Sequence, residues 1–424
     1  MNRIRCFQSI PILIILLLGL FSSCRREQVD LPNANVQHLI HHNIVGYFLD
    51  AAPSMNNKIY AVGVYYPYPD VTPHHLIALL DTDGGIIWSK SVASLRGSIF
   101  NQISVLSDGT AVVGCRSSSE ALRIDHQGNV LFHVVLDSVT TAPNESPVLC
   151  SRAVLGDDNH LYFTRHHETL NGYFKIIITQ LDGTVVFDGG YAVSNFAATR
   201  YDILEVREEV ALISADGIPI NQGKAEAREQ QRLYQIYLPK NLPDDPGQLQ
   251  ILSYERLTSQ QYVDDSIPDR SYDYVYQEPY AYTLRSIRHV GQDFRFGFND
   301  NFHLIYKADR NLNKIYESKI YFPSNVSSLE FDKTITPLSD GGLLISGNAK
   351  INNITRPFIL RLSPDGDLVA SNYYLGDYSR FYKVLELSDH RIVAFGGTKT
   401  GIDVDQGLPH PVLTFLSENL ELLD

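Results

Sequence analysis

Tyrosine-rich and histidine-rich clusters are the parts of this sequence whose side chains are best suited to bind a ligand. A tyrosine ring offers a flat apolar face and a polar tip, which suits stacking on sugars or gripping a peptide. The first two clusters contain Tyr65, Tyr66, Tyr68 and His74, and Arg165, His166, His167 and Glu168. The remaining candidates are Tyr262, Tyr272, Tyr274 and Tyr276, and the acids Asp403 and Asp405. We predict that these residues contribute to a ligand-binding surface.

Some of these tyrosines also have a purely structural interpretation. Tyr272, Tyr274 and Tyr276 occupy alternate positions, which is typical of one face of a β-strand packed on its own sheet. A proline separates Tyr66 from Tyr68, and proline disfavours a regular strand there. Packing and ligand binding therefore both stay open for these residues.

The histidine pairs do not predict a metal site, although imidazole is a common metal ligand. Adjacent residues of a strand point to opposite sides of the sheet, so His74 and the histidine after it are poorly placed to hold one ion. The acids of the recurrent Asp-Gly motifs lack the terminal glutamate of an EF-hand, and we assign them to hairpin turns. No metal or other cofactor is predicted.

Motifs of known catalytic chemistry are missing from the sequence. It contains no Gly-x-Ser-x-Gly elbow, no His-Glu-x-x-His motif and no phosphate-binding loop. We therefore predict no catalytic residue and favour a non-catalytic module that binds a glycan or an envelope protein. The first alternative is a glycan-active hydrolase or lyase that uses acids and His166 or His167 near a central opening. The second is a scaffold in an outer-membrane complex.

The first residues of the chain have the pattern of an export signal. Arg3 and Arg5 precede an apolar stretch, residues 10–20, that is too short to cross a bilayer core, which needs about 20 residues. Two serines then precede Cys24, and this arrangement resembles a bacterial lipobox. The resemblance implies that residues 1–23 are removed and that Cys24 carries the lipid, such as palmitate. An ordinary signal peptide with an incidental cysteine is the alternative.

Composition excludes some functions and leaves the redox state open. The formal net charge of −13 provides no basic surface for nucleic acid, so no nucleic-acid partner is predicted. An acidic chain also binds anionic lipid poorly, so attachment to a membrane would depend on the lipid of Cys24. Cys115 and Cys150 could form a disulfide in an exported protein, or could be buried thiols.

A repeat of about 50 residues runs through the rest of the chain and predicts the fold. Each unit has four short apolar segments separated by tight polar turns, such as the Ser-Asp-Gly motifs at Ser107 and Ser339. The second segments begin at Ile59, Ala111, Leu161, Val210, Phe294, Leu343 and Ile392. This pattern predicts an all-β protein, a seven-bladed β-propeller of four-stranded antiparallel blades. The longer interval after Val210 predicts an insertion in the fourth blade, at about residues 214–280.

These repeats resemble exported bacterial β-propellers of the WD-repeat, kelch and quinoprotein-like kind, and more narrowly the propeller lipoproteins of Bacteroidetes. Quinoprotein blades carry a recurrent tryptophan after the glycine turn. Here Trp88 holds that position once, while Phe132, Phe187 and Ala370 hold equivalent ones. The resemblance therefore implies no quinone cofactor.

The propeller has two unlike faces. The turns within each strand pair are short on one face, which we call the turn face. The other, the long-loop face, is expected to carry the loops at 65–74, 164–172, 214–231, 259–278, 347–355 and 397–410. Long loops on a rigid scaffold commonly carry binding sites.

Three segments make up the predicted domain organisation. Residues 1–23 form the signal, residues 24–43 a lipid anchor and tether, and residues 44–424 the propeller. Arg25 lacks the acidic character of an inner-membrane retention residue, and the basic Arg25-Arg26 pair stands where surface export would have an acidic run. The expected location is therefore the outer membrane, on a side that stays open.

Overall fold

Every regular secondary-structure element in the described part of the chain is a β-strand. The computed structural model describes residues 26–28, 33–35, 39–40, 44–55, 57–67, 72–92, 102–114, 120–136, 149–150, 153–166, 173–192, 196–219, 230–238, 251–256, 266–277, 280–289, 302–309, 311–322, 326–330, 335–352, 354–375, 378–398 and 409–423. Within these ranges no helix is long and apolar enough to pass through a bilayer.

The first half of the chain contains an N-terminal arm and three sheets. The arm contains β1 (Arg26–Gln28), β2 (Asn33–Asn35) and β3 (Leu39–Ile40). Sheet 1 contains β4 (Gly46–Ser54), β5 (Lys58–Tyr65), β6 (His74–Asp81) and β7 (Ile86–Val92). Sheet 2 contains β8 (Gln102–Val105), β9 (Ala111–Gly114), β10 (Glu120–Ile124) and β11 (Val130–Val135). Sheet 3 contains β12 (Leu149–Cys150), β13 (Val154–Leu155), β14 (Leu161–His166), β15 (Tyr173–Thr179) and β16 (Val185–Ala192), with β12 and β13 both paired to β14.

Four more sheets follow in the second half. Sheet 4 contains β17 (Phe196–Arg207), β18 (Val210–Pro219), β19 (Gln230–Tyr237) and β20 (Ile251–Arg256). Sheet 5 contains β21 (Ser266–Gln277), β22 (Tyr280–His289), β23 (Phe302–Asp309) and β24 (Lys314–Tyr321). Sheet 6 contains β25 (Val326–Glu330), β26 (Ile335–Pro337), β27 (Leu343–Ile351), β28 (Ile354–Leu362) and β29 (Leu368–Leu375), with β25 and β26 both paired to β27. Sheet 7 contains β30 (Tyr378–Glu386), β31 (Ile392–Thr398) and β32 (Pro411–Leu416).

The core is divided into seven clusters of buried apolar side chains, one at each junction between neighbouring sheets. Ile77 of sheet 1 shares its cluster with Ile103 of sheet 2. At the last junction, Phe48 of sheet 1 meets Phe395 of sheet 7 edge to face, with ring centroids 6.0 Å apart. Because sheet 7 packs on sheet 1, the sheets close into a ring. The predicted all-β propeller of antiparallel four-stranded sheets is confirmed, and the seven sheets agree with seven blades.

The N-terminal arm crosses the outside of the ring before the chain enters sheet 1. β1 lies parallel to β24 on the outer edge of sheet 5, and β2 lies parallel to β29 on the outer edge of sheet 6. β3 then pairs antiparallel with β32 and supplies the fourth strand of sheet 7. The two ends of the chain therefore meet in one sheet. Residues 26–28, 33–35 and 39–40 lie within the segment predicted as anchor and tether.

Sheet 5 differs from the repeat alignment in the position of its second strand. The second strand of sheet 5 is β22, not a segment beginning at Phe294, which lies outside the described residues. Two predicted long loops are also wrong. β27 and β28 meet in a tight hairpin around Asn352, which has a φ of 49°, and β21 occupies most of 259–278.

The acids of the turn face are used by the turns themselves. Asp81 Oδ1 accepts the backbone N–H of Gly85 at 2.7 Å, and Asp125 Oδ1 accepts that of Asn129 at 2.7 Å. Gly128 completes the second of these turns with a φ of 75°, a conformation that glycine adopts without strain. This geometry agrees with the assignment of these acids to hairpin turns.

A repeated hydrogen bond joins neighbouring sheets on the same face. In five sheets, the turn that follows the third strand along the chain accepts a side-chain donor from the preceding sheet, at the carbonyl of its second residue. The pairs are Trp88 Nε1 to His126, Arg123 to Leu181, Lys307 to Pro364, Arg361 to Glu418 and Arg391 to Thr82. The last pair connects sheet 7 to sheet 1. Side chains of the turn face thus stabilise the turns and the contacts between neighbouring sheets.

Candidate ligand-binding site

A stacked tyrosine pair lies on the long-loop face, where sheet 7 meets sheet 1. Tyr47 belongs to the innermost strand of sheet 1, and Tyr382 belongs to the innermost strand of sheet 7. Their ring centroids are 5.4 Å apart and the ring planes differ by 22°. Both side chains are half-buried. The pair therefore presents aromatic surface at the junction where the ring closes.

β-bulges in the two inner strands set the positions of these rings. The pairing of β4 with β5 shifts by one residue between Phe48 and Asp50, and that of β30 with β31 shifts at Tyr382. Gly63 and Gly396 lie opposite the bulges. A Cβ at Gly63 would come within 2.0 Å of the carbonyl oxygen of Tyr47, so glycine is required there.

Tyr66 and Arg380 complete the cluster around Tyr47. The Tyr66 backbone N–H donates to the Val45 carbonyl at 2.8 Å, and its phenol is hydrogen-bonded to that of Tyr47. Burial, together with Tyr66 and Tyr382, raises the pKa of Tyr47, while the nearby Arg380 guanidinium acts in the opposite direction. The Tyr47 phenol therefore stays neutral at physiological pH. Three phenols and one guanidinium together suit a ligand with a ring face and an anionic group.

Hydrogen bonds to the backbone of sheet 1 and its neighbours hold this cluster in place. The Gly46 N–H donates to the carbonyl of Pro409 at 2.7 Å, and buried His410 donates from Nδ1 to the carbonyl of Ile44 at 2.8 Å. Deeper in the inner strand, the buried Asp50 carboxylate accepts the N–H of Ile103 at 3.1 Å, which connects sheets 1 and 2. The cluster thus rests on a cross-linked support.

A second polar group lies between sheets 1 and 2. His75 is fully buried, and burial, with smaller contributions from His133 and His74, lowers its pKa to about 4. His133 Nε2 lies 3.7 Å from Glu120 Oε2, and Glu120 is almost completely buried. His75 and Glu120 are too enclosed to meet a ligand, so we regard them as part of the packing between the sheets, whereas His133 is exposed.

Three candidates from the first predicted cluster are close to this site. Tyr65 is half-buried and packs on the apolar cluster between sheets 7 and 1, while Tyr66 belongs to the tyrosine group. His74 begins β6, and its Nδ1 lies 3.1 Å from Ser91 Oγ. Tyr68 lies outside the described residues.

The other predicted residues are not among those that meet at this site in the described part of the chain. Arg165 and His166 end β14, and Tyr272, Tyr274 and Tyr276 lie on β21, as the strand interpretation expected. Cys150 lies on β12, where it pairs with Arg165. Outside the described residues lie Cys24, Cys115, His167, Glu168, Tyr262, Asp403 and Asp405. Their predicted roles stay predictions.

Sequence reasoning missed Tyr47, Tyr382 and Arg380. All three lie on inner strands, where an aromatic residue in an apolar segment looks like an ordinary core position. The Gly-Tyr-Phe sequence at Gly46 was the available signal, because a glycine at the start of a strand indicates close backbone approach. Across the described residues, no group of three or more His, Cys, Asp or Glu side chains is arranged to hold a metal ion.

Comparisons with known proteins add little to these observations. No protein-family model matches the chain, and no curated protein matches it. Similar solved structures include a streptogramin B lyase, with 11% identity and a TM-score of 0.46, covering 90% of this chain and 97% of that one. YCF48 bound to D1 peptide has 12% identity and a TM-score of 0.44, covering 90% and 96%. The WD40 domain of SCAP from fission yeast has 10% identity and a TM-score of 0.42, covering 92% and 89%. At these values the likeness carries no argument about function. The sheets themselves define the class: this chain is a β-propeller.

Proposed function

We propose that this protein is a non-catalytic binding module that recognises a glycan or a protein segment through its long-loop face. The observation that carries the proposal is the half-exposed stack of Tyr47 on Tyr382, with the Tyr66 phenol and the Arg380 guanidinium beside it. Tyrosine rings favour the C–H faces of sugars and the side chains of peptides. The guanidinium adds selectivity for an anionic group.

The contacts made on the turn face support the assignment of ligand binding to the long-loop face. On the turn face, side-chain donors are bonded to turn carbonyls across five junctions, and the turn acids accept local N–H groups. The long-loop face instead presents aromatic rings at its surface. A rigid ring with aromatic residues on one face is better suited to binding than to structural support alone.

We also propose that Cys24 carries a lipid and attaches the protein to the outer membrane. The basic residues Arg3 and Arg5, the short apolar stretch after them and the two serines before Cys24 support this proposal. An acyl chain on Cys24 would keep the binding face within the cell envelope.

The decisive experiment compares two site variants with a variant of the turn face. Purified protein is tested on an array of neutral and acidic polysaccharides and on peptides from envelope proteins. We expect Tyr382→Ala to weaken binding by about tenfold or more, which corresponds to about 1.4 kcal/mol of lost contact energy. Arg380→Gln should weaken only anionic ligands, and His390→Ala, on the exposed turn face, should have no effect.

Two outcomes would contradict this proposal. Unchanged binding by both Tyr382→Ala and Arg380→Gln would exclude the tyrosine cluster as the site. Product formation from any polysaccharide that is lost in His167→Ala or Asp403→Asn would instead establish the glycan-active enzyme. The scaffold alternative predicts capture of other envelope proteins that is unaffected by the tyrosine variants.

A further inference from the structure

The N-terminal arm is fastened to the rim of the propeller rather than extending away from it. Arg26 lies in register with Lys319 and Gln28 with Tyr321, on the outer strand of sheet 5. Asn33 and Asn35 make the same kind of parallel pairing with the outer strand of sheet 6. β1, β2 and β3 therefore pair with sheets 5, 6 and 7 in that order.

This pairing limits where an N-terminal lipid can be. Cys24 precedes Arg26 by two residues, and two extended residues span at most about 7 Å. An anchor at Cys24 would then lie beside the outer edge of sheet 5. A free segment as long as residues 24–43 would reach about 60 Å and allow any orientation of the ring.

The chemistry of this edge suits a lipid surface. Ile315 of β24 is 49% exposed, next to Lys314, which pairs with Glu317 at 3.6 Å. Lys319, half-buried on the same strand, adds a second cation to this edge, in a protein with a net charge of −13. On the turn face, the exposed carboxylates of Asp83, Asp389 and Glu418 are instead paired with Arg391 or Arg361. Anionic headgroups would attract the cations of the edge.

We propose that the outer edge of sheet 5 is the membrane-facing surface of this protein. The arm holds the ring edge-on to the bilayer, so the long-loop face opens sideways, along the plane of the membrane, instead of facing away from the lipid. This inference rests on the proposed lipid attachment at Cys24. It assigns a lipid surface to Lys314, Ile315 and Lys319.

Equivalent positions on different sheets provide a matched test. Ile87 of sheet 1 and Val186 of sheet 3 are each 46% exposed and occupy the same place on the outer strand as Ile315. In a Cys115→Ser, Cys150→Ser background, a fluorescent dye is attached at Ile315→Cys, Ile87→Cys or Val186→Cys. The full-length lipidated protein is reconstituted in phosphatidylethanolamine and phosphatidylglycerol vesicles that contain a nitroxide-labelled lipid.

We expect the nitroxide lipid to quench the dye at Ile315→Cys several-fold more than at the other two positions. Adding Glu27→Pro, which removes a backbone N–H and disrupts β1, should make quenching at the three positions similar. Circular dichroism and thermal unfolding confirm that each labelled variant is folded. Equal quenching at the three positions in the protein with the unmodified arm would overturn the orientation. Selective quenching that survives Glu27→Pro would overturn the role of the arm in setting it.

The mass of the N-terminal peptide separates this inference from the proposal beneath it. An acyl chain that is present in the parent and absent in Cys24→Ser supports lipid attachment at Cys24. If that result is obtained, uniform quenching at the three dye positions would overturn only the orientation. A peptide without an acyl chain would overturn the lipid attachment, and the edge-on orientation with it.

Discussion

His74 and His75 are neighbours in the sequence, but their side chains lie in different surroundings. The His74 ring lies beside Ser91 near the surface, whereas His75 is fully buried between sheets 1 and 2. This difference follows from the alternation of side chains along a strand. It also shows why the pair is unsuited to hold one ion. A buried imidazole instead makes stability depend on pH.

We expect His75 to destabilise the protein as the pH falls. Its pKa in the folded state is about 4, and an unfolded histidine titrates near 6.5, so below about pH 6.5 the unfolded chain binds the extra proton. The resulting loss of stability is complete only below pH 4 and reaches about 3 kcal/mol. Urea unfolding of the parent and of His75→Leu, between about pH 7 and pH 4, measures it. A variant with the same pH slope as the parent would refute this role.

The recurrent turns are the elements that made the fold predictable. Where a turn contains Asp-Gly, as at Asp108 and Asp340, strand positions follow from the sequence within a few residues. The hairpin between β21 and β22 has no such motif, and the second strand of sheet 5 was therefore misplaced. At Glu208 and Glu209, the turn has positive φ angles without any glycine. The Asp-Gly turns make the repeat recognisable in the sequence. The repeat is harder to recognise where residues other than glycine adopt the same positive-φ backbone conformation.

The candidate site could be predicted only in part, because its residues come from distant elements. Tyr66 follows β5 and precedes a proline, and this local sequence indicated an exposed aromatic group. Tyr47, Arg380 and Tyr382 meet it only because the first and last sheets close the ring. No local pattern reports a contact between opposite ends of a chain.

Packing of an aromatic ring on a turn glycine is an element-scale contact that we expect to be sensitive to substitution. A Cβ at Gly128 would come within 3.1 Å of the Trp88 ring, whereas one at Gly109 would meet only Met55 Sδ at 3.8 Å. Both glycines have φ near 80°. Each alanine variant should lose about 1 kcal/mol to backbone strain, and Gly128→Ala about 1 kcal/mol more. Equal losses in chemical denaturation would show that the ring contact is unimportant.

At the scale of the whole molecule, the arm should contribute unequally along its length. Removing residues 1–35 deletes β1 and β2, which only extend complete sheets, whereas removing residues 1–40 also deletes β3 and leaves sheet 7 with three strands. We expect the longer deletion to cost about 2 kcal/mol more, seen as a melting temperature lower by a few degrees. Identical melting temperatures for the two truncations would contradict a role for β3 in closing the ring.

The pairing of β3 with β32 also has a consequence for the order of events during synthesis. The arm is among the first segments to be made, yet its partner strands β24, β29 and β32 are among the last. Contacts between such distant segments form slowly, because a long chain must first be brought together. The ring cannot close until nearly the entire polypeptide has emerged. The propeller therefore stays open during most of its own synthesis.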